Sequence, residues 1–251
     1  MPPQNREHMR FLISVFIAFL FFTGCTSKTE NLTLSGTVKG LKKGTLYLQK
    51  FEDTLLISVD SVHIDGKSDF VFREQLDEPE IYYLYVQLKD ASLQDDLITF
   101  FAEEGTMTIH TVIDEFGNRA RITGSKNDSI LRVYDKLKQR FITRNLELIE
   151  ERLKLKSGSP DSLKIAIELQ QQRLLSNKYY TTVNFAINHK DFEVAPYLVL
   201  SEAAEVQVKY LDTVYNVLPQ KIKDSKYGRE LESFIQFRRE NDSLEFVNSI
   251  D

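Results

Sequence analysis

The sequence predicts an α+β protein: an antiparallel β-sandwich or open barrel followed by an α-helical region of about four helices. Three observations carry this. Between Leu32 and Ile122 apolar residues recur with period two or in short runs, with turn residues between them. After Gly124 the apolar spacing changes to that of a helix. No low-complexity linker separates the two regimes, so the change of period is itself the boundary. The expected organisation is a leader over 1–24, a tether over 25–31, a β-sandwich over 32–124, a helical region over 125–240 and a polar tail over 241–251.

The first segment is a leader. Arg6 and Arg10 precede an apolar run from Phe11 to Phe22, and Met9 would serve equally well as a start because Arg10 still precedes that run. The run is shorter than the roughly 20 residues of a membrane span and fits the core of a secretory signal. It ends in "FTGC", which holds Cys25, the only cysteine in 251 residues. These four residues resemble the lipobox of bacterial lipoproteins, with Phe22 standing where an aliphatic residue is usual. The resemblance implies cleavage between Gly24 and Cys25, a diacylglyceryl group on the Cys25 thiol, and an acyl chain such as palmitate on the new amino group. Two or three chains anchor firmly where one does not. The membrane, through lipid on Cys25, is thus an expected partner. The expected location is the bacterial cell envelope, at the outer membrane or a periplasm-facing membrane.

The strands follow in order. "LTLSGTV" alternates Leu32, Leu34 and Val38 with small polar residues and reads as a weak edge strand. "KKGTLYLQKF" restarts after a turn at "GLKKG", Gly40 to Gly44. "LISVDSVHIDGKSDFVFRE" reads as a hairpin about Asp65-Gly66. "IYYLYVQL" has no polar residue before Gln87 and reads as a strand buried on both faces. "LITFFAEEGTMTIHTVI" reads as a hairpin turning at Glu103 to Gly105, and "NRARITG" as the last strand.

The helices begin at Ser125, which has Asp128 at capping-box spacing. Ile130, Tyr134, Leu137 and Phe141 lie on one helical face, and Ile142, Leu146, Ile149 and Leu153 continue that stripe, slightly rotated. "KSGSP" ends this helix; Ser159 and Pro160 open a second that runs to about Asn188. The pair should form an antiparallel hairpin. Pro196 opens a third helix, Pro219 interrupts it, and "YGRELESFIQFRREN" forms the fourth.

The order of these elements, with "SGTVKGLKKGTLYLQ", "FFAEEGTMTIHT" and "RARITGSKNDSILRVY", resembles an uncharacterised N-terminal domain of periplasmic thioredoxin-like lipoproteins. The resemblance runs from about Leu32 to Phe237 and is clearest from Phe100 to Tyr134. It implies a domain of unknown function that usually precedes a thioredoxin-like domain with a CxxC pair. With Cys25 as the only cysteine there is no CxxC pair, and that thiol chemistry passes to no residue of this chain.

Composition excludes some functions. The net charge of −5 argues against a nucleic-acid partner, which needs a basic face. His63, His110 and His189 show no metal-binding spacing, so neither a metal nor a cofactor is expected. No catalytic motif is present and no catalytic residue is assigned. Glu103-Glu104 reads as a solvated pair, since catalytic carboxylates would need burial in a cleft. Tyr82, Tyr83 and Tyr85 could stack on sugars, but strand alternation splits the row and favours packing. Asp-Ser/Thr-aliphatic triplets centre on Thr54, Ser61, Ser129, Ser162, Thr213 and Ser243 and resemble an O-glycosylation signal of some exported bacterial proteins. Helix capping accounts for some of them. The expected function is a lipid-anchored envelope protein with a non-catalytic binding or assembly role and an unidentified envelope protein partner. The alternatives are an accessory factor for a thioredoxin-like partner, which the resemblance implies, and a hydrolase built from scattered residues.

Overall fold

The computed structural model describes residues 30–88, 97–156 and 160–248, with side chains through residue 241. The expected leader, Gly24, Cys25, Ser159 and the side chain of Ser243 lie outside the described residues. Among the described residues eight strands form two four-stranded sheets: β1 (Leu32–Lys39), β2 (Lys43–Glu52), β3 (Leu55–Asp65), β4 (Asp69–Glu74), β5 (Glu80–Leu88), β6 (Leu97–Ala102), β7 (Gly105–Val112) and β8 (Arg121–Thr123). The first sheet has the order β4-β1-β7-β8 and the second β3-β2-β5-β6. Leu34, Leu46, Leu48, Phe72, Leu84, Phe100 and Ile109 fill the space between them. This is a sandwich, with no closed barrel.

Three strand readings need correction. The segment from Leu32 is not an edge but a central strand, antiparallel to β4 and parallel to β7. Its inward residues are fully buried, and β7 approaches so closely that a Cβ on Gly36 would lie 1.9 Å from the Ile109 carbonyl oxygen. The parallel pairing also makes the sandwich mixed rather than wholly antiparallel. The second correction concerns the two supposed hairpins. β3 and β4 lie in different sheets, as do β6 and β7, so Asp65-Gly66 and Glu103 to Gly105 are crossings between layers. Gly66 and Gly105, with φ of 94° and 111°, supply backbone conformations that most residues avoid. Gly105 then donates its N–H to the Asn31 carbonyl and opens the parallel ladder. Third, β5 is buried on both faces only at its start; Tyr83 and Tyr85 are half-buried and Gln87 is exposed.

Six helices follow among the described residues: α1 (Lys126–Leu153), α2 (Asp161–Asn188), α3 (Val194–Glu202), α4 (Val208–Val217), α5 (Gln220–Lys223) and α6 (Lys226–Asn248). The expected third helix is two, because the chain unwinds over 203–207, where Arg238 donates to the carbonyls of Ala204 and Val206. Pro219 caps the short α5. α1 and α2 form the expected hairpin, with α2 starting after Pro160 without a side-chain cap. Ser125 Oγ accepts from the Asp128 N–H at 2.8 Å, which is one half of a capping box. The Asp128 carboxylate does not return the bond; it accepts from the Phe101 N–H at 3.1 Å.

That last contact belongs to the joint between the halves. Ile81 and Phe101, on the outer face of the second sheet, are buried under Ile130, Leu131, Tyr134, Leu198 and Tyr227. The Tyr227 hydroxyl accepts from the Ile81 N–H at 2.9 Å. Glu103 accepts from the Lys126 and Asn127 N–H groups at the start of α1, a favourable place for negative charge. Helices therefore cover one end of the outer face of the second sheet and leave the rest open.

Candidate functional site

The open part of that face meets the helical layer in a corner, and the corner is the candidate site. One hollow of about 690 Å³ is lined by Tyr83, Thr99, Arg132, Asp135, Tyr197 and Glu202, among others. A second, of about 460 Å³, lies beside Lys50, Phe51, Glu80 and Tyr227 and shares Tyr83 and Tyr197 with the first. Tyr83 comes from β5 by strand alternation, and Tyr197 from the first turns of α3.

The wall on the helical side is a charge network. Arg132 bonds Asp128 at 2.9 Å and Asp135 at 3.1 Å, and also donates to the Thr99 carbonyl on β6. Lys138 and Lys178 each approach Glu202 to 2.8 Å, and Lys138 lies 3.9 Å from Asp135. Burial pushes the Asp135 carboxyl above its ordinary range, although Arg132 and Lys138 oppose this. Burial acts the same way on Glu202, but hydrogen bonds from Lys138 and Lys178 outweigh it and hold that carboxyl low. Burial, with the charges nearby, raises the Tyr197 hydroxyl to about 12, so it stays protonated at neutral pH. Opposite shifts on neighbouring carboxylates are a pattern used in acid–base chemistry. Here both carboxylates are engaged by cations, and the network braces α1, α2 and α3 against one another.

The floor is aromatic. Tyr47 and Tyr85, paired across β2 and β5, stack with centroids 6.2 Å apart. Phe51 meets Tyr83 edge-on at 5.6 Å. Between the rings, the Tyr47 hydroxyl donates to Gln87 at 3.0 Å and the Gln49 amide to Ser58 at 3.0 Å. Phe51 and Gln87 are exposed, the other rings half-buried. Tyr82 points the opposite way, into the sandwich core, as alternation requires.

The other residues singled out from the sequence do not converge. His63 is exposed on β3, His110 lies on the outer face of the first sheet, and His189 ends α2, stacked 4.1 Å from Phe185. Among the described residues no group of three or more metal-ligating side chains is present. Glu103 is a helix cap rather than a solvated charge, and "GLKKG" is a turn with Gly40 at φ 91°. Thr54, Ser61 and Ser162 are exposed. Ser129 and Thr213 are exposed too, but each hydroxyl donates to the carbonyl four residues back. The wall residues Arg132, Asp135 and Glu202 carried no sequence signal, since they are spaced like any solvated helix face. The one available hint was the polar gap left beside Ile130 and Tyr134.

The geometry defines a mixed α+β protein whose sandwich and helices share a joint and flank an open, aromatic-floored corner. Residues 32–131 match the family model described as Domain of unknown function (DUF4369), which spans the whole sandwich and the first turns of α1, including the residues that fasten α1 to the sheet. No curated protein and no solved structure matches the chain.

Proposed function

We propose that the protein is a lipid-anchored component of the bacterial cell envelope with a non-catalytic binding role, seated in the corner between the second sheet and the helices. The observation that carries the anchor is "FTGC": Cys25 follows an apolar run too short to span, and only six residues separate it from β1. No helix among the described residues is long and apolar enough to cross a membrane, so an anchor outside them suits the chain. The corner supports binding because Arg132, Asp135, Lys138 and Glu202 on its wall are paired with charged neighbours and its floor offers ring faces with positioned amide and hydroxyl groups. Aromatic faces pack against the apolar faces of sugars while amides and hydroxyls bond their edges. A neutral glycan is accordingly the ligand class this floor suits.

Growth with labelled fatty acid, followed by intact and N-terminal mass of the purified protein, tests the anchor. The expected result is acyl chains on a chain beginning at Cys25; an unlabelled chain starting elsewhere overturns it. The same intact mass reads out any sugar on Thr54, Ser61 or Ser162. Native gel electrophoresis through soluble glucomannan, xyloglucan, pullulan or laminarin tests the seat. Retardation by at least one, weakened about tenfold by Tyr85→Ala, is expected; free migration through all four overturns it.

A further inference from the structure

The α1–α2 hairpin carries an apolar face that stays exposed among the described residues. On α1, Ile142, Leu146, Ile149 and Leu153 are 42%, 59%, 38% and 79% exposed. Their 4-3-4 spacing places them within one narrow stripe of the helix, the pattern of a coiled-coil seam. The residues that face α2 lie to one side of the stripe, about a fifth to a third of a turn away: Asn145, which accepts from Gln171 at 3.2 Å, and Leu148, which is buried. The stripe is therefore a side of the hairpin and not its internal seam. It continues across a groove of about 590 Å³, lined by Phe141, Ile142 and Leu174, to Leu175 on α2, which is 48% exposed.

Together the five exposed side chains amount to an apolar patch on the order of 500 Å², as large as the largest patches ordinary monomers show. Two such patches face to face would bury roughly 1,000 Å², the threshold for a specific interface. We propose that this face is a homodimer seam, on which the hairpin of a second copy packs antiparallel to complete a four-helix bundle.

The spacing sets the register. A two-fold axis between Leu146 and Ile149 puts Leu146 of one copy against Ile149 of the other, and Ile142 against Leu153. It also sets Thr143 beside Glu150 and Asn145 beside Arg152, so no like charges meet along the flanks. A second copy satisfies the stripe at both ends with side chains of the same length, and the bundle crossing of about 20° suits a 3.5-residue repeat.

The test uses the full chain in membranes from cells that make it, treated with a short bismaleimide linker. Leu146→Cys, next to the axis, is expected to give a cross-linked dimer. Leu153→Cys is expected to give none, because its two copies would lie on the order of 16 Å apart along the helix at 1.5 Å per residue. Adding Ile149→Glu to Leu146→Cys should reduce the dimer band at least tenfold. Unchanged export and proteolytic resistance of the variants would show that they fold, which the exposure of these positions favours. Cross-linking by Leu153→Cys as strongly as by Leu146→Cys overturns the antiparallel seam. So does a Leu146→Cys thiol that stays monomeric, whether it reacts freely with a maleimide, is shielded by the bilayer, or links only to a different protein.

Discussion

Tyr82 carries its hydroxyl into the sandwich core, where it finds no hydrogen-bond partner among the described residues. Burial, reinforced by Glu80, raises its pKa, so the group stays neutral, but a lone buried hydroxyl still costs stability. Tyr82→Phe keeps the ring that packs 6.2 Å from Phe100 and removes the orphan. It is expected to leave stability unchanged or to raise it by up to ~1 kcal/mol, read as the urea midpoint. A loss would mean that the hydroxyl has a partner in the folded protein. Glu202 is the opposite case. Its carboxyl is held low, so it stabilises the fold above the ordinary glutamate pKa of about 4.3 and loses this effect as pH falls through its lower folded value. Glu202→Gln should cost about 1–3 kcal/mol at pH 7 by removing the carboxylate that Lys138 and Lys178 share, and the gap to wild type should narrow on acidification. Asp135 is raised, so its ionisation weakens the fold as pH climbs through its folded value. Asp135→Asn should therefore cost less than Glu202→Gln at pH 7. None of this was legible locally: Asp135 and Glu202 sit 67 positions apart on different helices, and burial together with the cations brought to them by folding sets their shifts.

At the scale of elements, the start of α1 is where the halves are fastened. Asn127 is buried; its amide nitrogen donates to Glu103 at 2.6 Å and Glu193 at 2.8 Å, and its oxygen accepts from the Val194 N–H at 2.8 Å. One side chain thus ties the turn after β6, α1 and the start of α3. Asn127→Ala removes the side-chain bonds to Glu193 and to the Val194 N–H, and one of the three bonds to Glu103, and should cost about 2–4 kcal/mol, seen as a lower thermal midpoint. The neighbouring Lys126→Ala should have little effect, because its side chain is exposed and its N–H remains. The capping residue Ser125 could be read directly from its spacing, because a cap is a contact within one turn. The role of Glu103 could not, since the helix it caps starts 23 residues later, on the other side of β7 and β8. The apolar stripe from Ile142 to Leu153 was likewise visible as a stripe, but not as an exposed one.

At the scale of the molecule, Ile81 and Phe101 join the sandwich to the helices within one buried cluster. The two halves should therefore unfold together: far-UV signals for strand and helix are expected to change in a single transition. Two transitions would show the joint to be weaker than either half. The dimer seam adds that the midpoint should rise with protein concentration. Several features were set by the sequence alone: the break of period at Gly124, the run of short strands before it, the long hairpin helices and the Ser125 cap. Each depends on residues within a few positions of one another. Tertiary structure alone decided that β1 lies in the centre of its sheet, that β3–β4 and β6–β7 cross between layers, and that helices cover only one end of the second sheet. Alternation states which face of a strand is apolar, but the strand it pairs with is chosen by backbone groups that are the same in every residue. Burial, and with it the corner of Tyr83, Arg132, Asp135, Tyr197 and Glu202, exists only once distant segments exclude water from one another.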